Sequence, residues 1–177
     1  MIDWLIPQTI QTVNSRINGQ IRVKKFLGRT AVWVGGYEQS GPMVKNLWKK
    51  ALNNLTIQRC NSVLVLGLGC GSVVEIIKNK WPGAKITGVE IDPEMIKIGK
   101  KYFGLEKAIN LKIILGDITK TLRFGRRKFD MVIVDAYLGD LKVSLRDYTK
   151  YCNRGGVIVS NYLKDSRNKI KYLHLQK

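Results

Sequence analysis

The sequence predicts an α/β protein, with an open, mostly parallel sheet flanked by helices and preceded by a small antiparallel β-meander. Three observations predict it. From Val63 onward, apolar runs of strand length alternate with stretches of helical periodicity. The first run, "VLVLG", is continuously apolar, as a strand buried on both faces requires. Ahead of it, residues 12–36 carry short alternating segments punctuated by glycine.

In order, "NSRINGQIRV" contains Asn18-Gly19, a favoured two-residue hairpin turn, and Gly28-Arg29 turns the chain again into "TAVWVGG". "EQSGPMVKNLWKKALNNL" then reads as a helix. Ser40 is its expected N-cap and Pro42 sits in its first turn. Val44, Leu47, Trp48, Ala51, Leu52 and Leu55 form one apolar face. After "VLVLG" a helix over Ser72–Lys80 stops at Trp81-Pro82, because a residue before proline avoids the helical region. "AKITGVEI" is the second strand. Asp92 caps and Pro93 opens the helix "PEMIKIGKKYF". "LKIILGD" and "FDMVIVDA" are the third and fourth strands, "SLRDYTKYC" a short helix, and "RGGVIVSNYL" the fifth strand. Beyond it three arrangements stay open: "NKIKYLHLQ" adds a strand, further strands are missing and the sheet is truncated, or a second subunit covers the edge in a homodimer. The expected domains are residues 1–38, the meander, and residues 39–177, the parallel-sheet domain.

Composition excludes several classes. At 177 residues and 45% hydrophobic content the chain has a globular core, and no apolar run approaches the ~20 residues that span a bilayer. The start "MIDWLIPQTI" lacks a basic n-region, so no signal peptide is expected. Cys60, Cys70 and Cys152 lack metal-ligand spacing, and such sparse thiols fit a reducing, cytoplasmic setting. With His174 as the only histidine, neither a zinc site nor a His-based triad is expected. The net charge of +18 allows a nucleic-acid partner, although the cations are spread along the chain.

In an open α/β sheet the ligand lies beyond the carboxyl ends of the strands. Those ends carry Gly67, Gly69 and Gly71, then Glu90, then Asp117, then Asp135 and Tyr137, with Asn161 at the end of the fifth. A dinucleotide turn needs a third glycine at position 72, which is Ser72 here. No Gly-Lys-Ser/Thr follows either, which excludes a phosphate loop. A smaller ligand fits better. Glu90, 19 residues after Gly71, suits two ribose hydroxyls, and Asp117 suits the exocyclic amine of adenine. These roles describe S-adenosylmethionine or a derivative.

The stretches "VLVLGLGCGS", "ITGVEIDPEMIKIGKKYFGL", "LKIILGDITK" and "FDMVIVDAY" resemble the Rossmann-like fold of class I S-adenosylmethionine-dependent methyltransferases. More narrowly, "VEIDPEMIKIGKKYF" and the meander leading into "GGYEQSG" resemble the spermidine synthase-like branch, the aminopropyltransferases. The resemblance spans roughly residues 15–163. It implies S-adenosylmethionine or its decarboxylated form as co-substrate, a small amine acceptor, and no metal. It places Gly67, Gly69 and Gly71 against the donor's amino-acid or thioether portion, Glu90 on the ribose, and Asp117 with Ile118 on the adenine. Gln39, Ile91 and Asp135 complete the expected cofactor set. Asp135 matches the first aspartate of the branch's D-x-x-D motif and is expected to orient or deprotonate the amine, assisted by Tyr137 or Asp140. The motif's second aspartate falls at Leu138, and the branch's Tyr-His pair after the glutamine loop is replaced by "SGPMVKNLW". Two rival readings stand beside this one: a methyltransferase acting on RNA or another polyanion, and a non-catalytic nucleoside-binding remnant.

Overall fold

The computed structural model describes residues 6–119, 127–136, 144–164 and 167–176. They group into two compact units, Met1–Leu55 with Gly69–Asn79 and Asp92–Ile109, and Thr56–Leu68 with Lys80–Ile91 and Asn110–Lys177.

The first unit holds an antiparallel sheet in the order β1-β2-β3-β4, built from β1 (Gln8–Ser15), β2 (Gly19–Phe26), β3 (Arg29–Val34) and β4 (Tyr37–Ser40). The meander is as expected, but its turns differ in detail. The first connection has three residues rather than two, because Ser15 Oγ accepts the backbone N–H groups of Ile17 and Asn18 and pulls both into the turn. Gly19, at φ 63°, then starts β2 opposite Ser15. The second turn is centred on Leu27 and Gly28, at φ 46° and 75°, one residue earlier than Gly28-Arg29. Two positive φ values in a two-residue loop match the right-handed twist of the flanking strands.

Helix α1 (Pro42–Asn53) follows, with Pro42 in its first turn as predicted. Its cap is not Ser40. Gly41 occupies the cap position at φ 145°, and Glu38 Oε1 accepts from the N–H groups of Met43 (2.8 Å) and Val44 (3.2 Å). Ser40 instead accepts from the N–H of Cys70 at 3.0 Å. Helices α2 (Ser72–Lys80) and α3 (Pro93–Phe103) have the predicted bounds. Asp92 caps α3 by accepting from Glu94 N at 2.8 Å and also accepts from the side chains of Ser15 and Asn18. The unit's core is Ile21, Val23, Val32, Cys70, Met95 and Ile98, with Val13, Val34, Tyr102 and Phe103 packed against it.

The second unit holds a six-stranded sheet in the order β10-β9-β8-β5-β6-β7. Its strands are β5 (Ser62–Leu66), β6 (Lys85–Glu90), β7 (Leu111–Leu115), β8 (Phe129–Val134), β9 (Cys152–Lys164) and β10 (Arg167–His174). The five strands expected to be parallel are parallel, and β10, from the "NKIKYLHLQ" segment, pairs antiparallel with β9. "SLRDYTKYC" forms a 3₁₀ helix, Leu145–Tyr151, closed by a capping box between Ser144 and Asp147. Leu64, Leu66, Val89, Phe129, Val132, Val134, Tyr148, Tyr151, Cys152 and Ile158 form one core. Val63, Val65, Met131, Ile133, Val157 and Val159, on the opposite pleat, are equally buried. This burial of both faces explains the unbroken apolar runs. Each such side chain contributes about 1.5–3 kcal/mol by leaving water. Among the described residues no helix is long and apolar enough to cross a membrane.

Candidate functional site

The carboxyl edge of the second unit's sheet is laid out by register. Leu66 pairs with both Val89 and Val134, Val134 pairs with Ser160, and Glu90 pairs with Leu115. One step further along each strand, the chain presents a single row across the sheet: Leu115, Glu90, Gly67, Asp135, Asn161. Because Leu66, Val89, Val134 and Ile158 all lie in one core, the pleat turns Glu90, Asp135 and Asn161 to the opposite face. Gly67 therefore stands between two carboxylate-bearing positions.

Gly67 is required there. Its φ is 84°, and a Cβ would lie 2.7 Å from the Asp135 carbonyl oxygen and the Ala136 nitrogen. Its own N–H donates to Val89 O at 3.0 Å, and that of Leu68 to the same oxygen at 2.9 Å, so the turn leaves β5 anchored to β6. Further along, Gly69 and Gly71 belong to the first unit, with φ values of 55° and 86°. A Cβ on Gly71 would meet Leu105 Cδ2 at 2.2 Å. Ser72, which displaced the dinucleotide reading, accepts from Gly41 N at 3.0 Å. Gln39, also in the first unit, is an exposed residue of β4.

The predicted residues of the second unit divide by environment. Glu90 is buried at 7% exposure, so its carboxylate ends β6 out of bulk water. Ile91 is 42% exposed. Gly116 N donates to Glu90 O at 2.9 Å, which carries β7 into the Asp117 turn. Asp117 Oδ1 accepts from Thr119 N (2.8 Å) and Thr119 Oγ1 (2.6 Å), an Asx-type turn that fixes the side chain. Ile118 packs against the unit's core. Asp135 N donates to Leu66 O at 2.8 Å, and Asp135 Oδ1 accepts from Asn161 Nδ2 at 2.8 Å. Asn161 thereby spends its amide on Asp135, while its Oδ1 is shielded from solvent with no hydrogen-bond partner among the described residues. Tyr137, Leu138 and Asp140 lie outside the described residues.

Asn161 was legible only as a strand-end residue. That it clamps Asp135 follows from β8 and β9 being neighbours in register, which no local motif announces. Among the described residues no group of three His, Cys, Asp or Glu side chains is arranged to hold a metal ion.

A second polar cluster sits at the other end of the same strands. Asp130 Oδ2 accepts from Asn61 N (2.8 Å), Ser62 N (3.0 Å) and Ser62 Oγ (3.2 Å), and Oδ1 from Asn153 Nδ2 (2.8 Å). Burial pushes this carboxyl's pKa up, but the hydrogen bonds together outweigh it and hold the group below its ordinary value. Burial, reinforced by the Asp130 charge, pushes the thiols the other way, Cys60 to about 12 and Cys152 to about 11. These cysteines are neutral and unreactive as nucleophiles near neutral pH, so the cluster ties β5 to β8 and carries no chemistry.

A donor with a ribose and an adenine fits the second unit's edge. It offers a buried carboxylate, a fixed aspartate one strand away, and a glycine whose Cβ would close the turn.

Residues 61–175 match the Methyltransferase domain family. A probable polyamine aminopropyl transferase from Bifidobacterium longum is 32% identical over 109 residues, 57% of this chain and 24% of that protein. An eEF1A lysine and N-terminal methyltransferase from Danio rerio is 35% identical over 78 residues, 42% of this chain and 11% of that protein. The chain thus spans about a quarter or less of the length of these relatives. The crystal structure of spermidine synthase from Thermotoga maritima superposes with a TM-score of 0.67 at 15% identity, covering 87% of this chain and 56% of that one, a likeness of fold. With its glycine turn, its row of strand-end carboxylates and a family match over most of its length, the chain belongs to the methyltransferase domain family.

Proposed function

We propose that the chain is an S-adenosylmethionine-type alkyl transferase of the spermidine synthase-like branch, moving an aminopropyl or methyl group to a small amine. The observation that carries the reading is the row Glu90–Gly67–Asp135–Asn161, which sets a buried carboxylate and an oriented carboxylate on one edge. Glu90 takes the ribose hydroxyls as a paired acceptor. Asp117 takes the adenine amine, and Ile118 supports the base. Asp135, held by Asn161, orients the acceptor's nitrogen and receives its proton as the new N–C bond forms. The donor's sulfonium, when bound, supplies the activated carbon and departs with the bond electrons as a neutral thioether. The protein's share is alignment and proton acceptance.

Calorimetry with S-adenosylmethionine, its decarboxylated form and methylthioadenosine tests the donor assignment. Binding of at least one that is lost in Glu90→Ala supports it, and no binding of any to the wild type removes it. Product analysis with putrescine then tests the acceptor. Tight nucleoside binding with no transfer to any amine identifies the chain as a binding protein instead.

A further inference from the structure

The β9–β10 hairpin reaches beyond the parallel sheet. The last residue pair joining β8 to β9 is Val134 with Ser160, yet β9 continues to Lys164 and is paired by β10 from Arg167. Three residues of β9, Tyr162–Lys164, therefore extend past the carboxyl edge as part of a two-stranded arm about 10 Å long. Residues paired across antiparallel strands share a face. Tyr162 pairs with Lys169 and Ser160 with Lys171, so Tyr162, Lys169 and Lys171 lie on one side of the arm and its base. Tyr162 is 39% exposed, with Lys171 Nζ 5.7 Å from its ring centroid. Both lysines are exposed, and among the described residues no carboxylate forms an ion pair with either. From Asn161 to the end the sequence carries Lys164, Arg167, Lys169, Lys171 and Lys177 against Asp165 alone.

We infer that this arm binds single-stranded RNA. Lys169 and Lys171 stand two residues apart on one strand, about 7 Å, and present point charges in a line to a phosphate backbone. Tyr162 offers a flat ring beside its cross-strand partner Lys169, and such a ring stacks on a base whatever its identity. The Asp and Glu side chains of an acidic peptide offer that ring no aromatic face. A membrane surface would require apolar side chains beside the lysines, and this face of the arm presents a single tyrosine. The inference is independent of the nucleoside reading, since none of these residues belongs to that site.

The test is fluorescence anisotropy of the full chain with a labelled twelve-nucleotide oligouridylate over a salt series. Lys169→Ala/Lys171→Ala is compared with Lys100→Ala/Lys107→Ala, which removes the same charge from exposed positions on and just after α3. The arm variant is expected to lose at least tenfold in affinity and about 1.4 in the slope of log K against log salt. The control is expected to lose under threefold. Tyr162→Leu is expected to weaken RNA binding at least fivefold while leaving heparin binding within twofold. Equal losses in the two lysine variants would show diffuse attraction to a cationic protein and overturn the inference. So would a polyglutamate peptide of equal length that competes as well as RNA. Circular dichroism of each variant confirms that the comparison is between folded proteins.

Discussion

Asn161 donates its amide to Asp135 Oδ1 at 2.8 Å across two adjacent parallel strands, and its own carbonyl oxygen is shielded, with no partner among the described residues. The bond fixes the orientation of a strand-end carboxylate.

Asp135→Asn is expected to lower amine transfer by roughly 10²–10⁴-fold, the range of a lost proton acceptor, with nucleoside affinity within about twofold of wild type. Asn161→Leu leaves the carboxylate chemically intact and is expected to lower kcat by roughly 10²-fold through misplacement alone. Steady-state transfer to putrescine, paired with calorimetry on the nucleoside, separates the two. Equal loss of transfer and nucleoside affinity in Asp135→Asn would remove its assigned role.

Gly67→Ala and Gly28→Ala both place a side chain at positive φ, 84° and 75°, but only Gly67 lacks room. Gly28→Ala is expected to cost about 1–2 kcal/mol from the backbone alone. Gly67→Ala adds the forced displacement of Asp135 and Ala136, for roughly 2–5 kcal/mol in total. Urea unfolding of the two variants reads the difference, and near-equal midpoints would refute the close approach.

Glu38→Ala removes the carboxylate that accepts the first free N–H groups of α1 and should cost about 1 kcal/mol. Glu38→Gln keeps an acceptor and loses less. Ser40→Ala leaves the helix end capped, so its effect should be independent of Glu38→Ala and additive with it in a double-mutant cycle.

The Asp130 cluster sets the acid limb of stability. Its folded pKa lies below the unfolded value of 3.8, so its contribution is present above pH 3.8 and is lost as pH falls through the folded value. The thiols act at the alkaline end. Their folded values, about 12 for Cys60 and about 11 for Cys152, exceed the unfolded value of 9.0. Stability is therefore unaffected by them below pH 9 and falls as pH rises from there. Denaturant midpoints between pH 2 and 11 test both limbs, with Asp130→Asn flattening the acid one. In the native state at pH 8 neither thiol should react with a disulfide reagent within minutes, whereas full reaction is expected in denaturant.

What sequence reading recovered, and what it missed, have physical causes. The parallel strands were legible because burial on both faces leaves no polar position in "VLVLG" or "MVIV". The bounds of α2 and α3 were legible because Pro82 and the Asp92-Pro93 pair act locally. The cap of α1 was not. Ser40 has the right chemistry, but the extended Gly41 carries the chain past it and brings Glu38 over the helix end instead. The Asn18-Gly19 turn was misjudged by one residue because Ser15 recruits two N–H groups that a bare Asn-Gly turn would leave free. At the candidate site, the carboxylates could be collected from strand ends. The bond from Asn161 to Asp135 could not, because it depends on which strands are neighbours.

The position of β5 between β6 and β8 also makes the sheet a ruler. Glu90 and Asp135 are separated by two strand spacings, about 10 Å, with Gly67 at the midpoint. That interval is fixed by backbone hydrogen bonds. A point substitution can change the side chain at either end of it, whereas changing the interval itself would require a different order of strands.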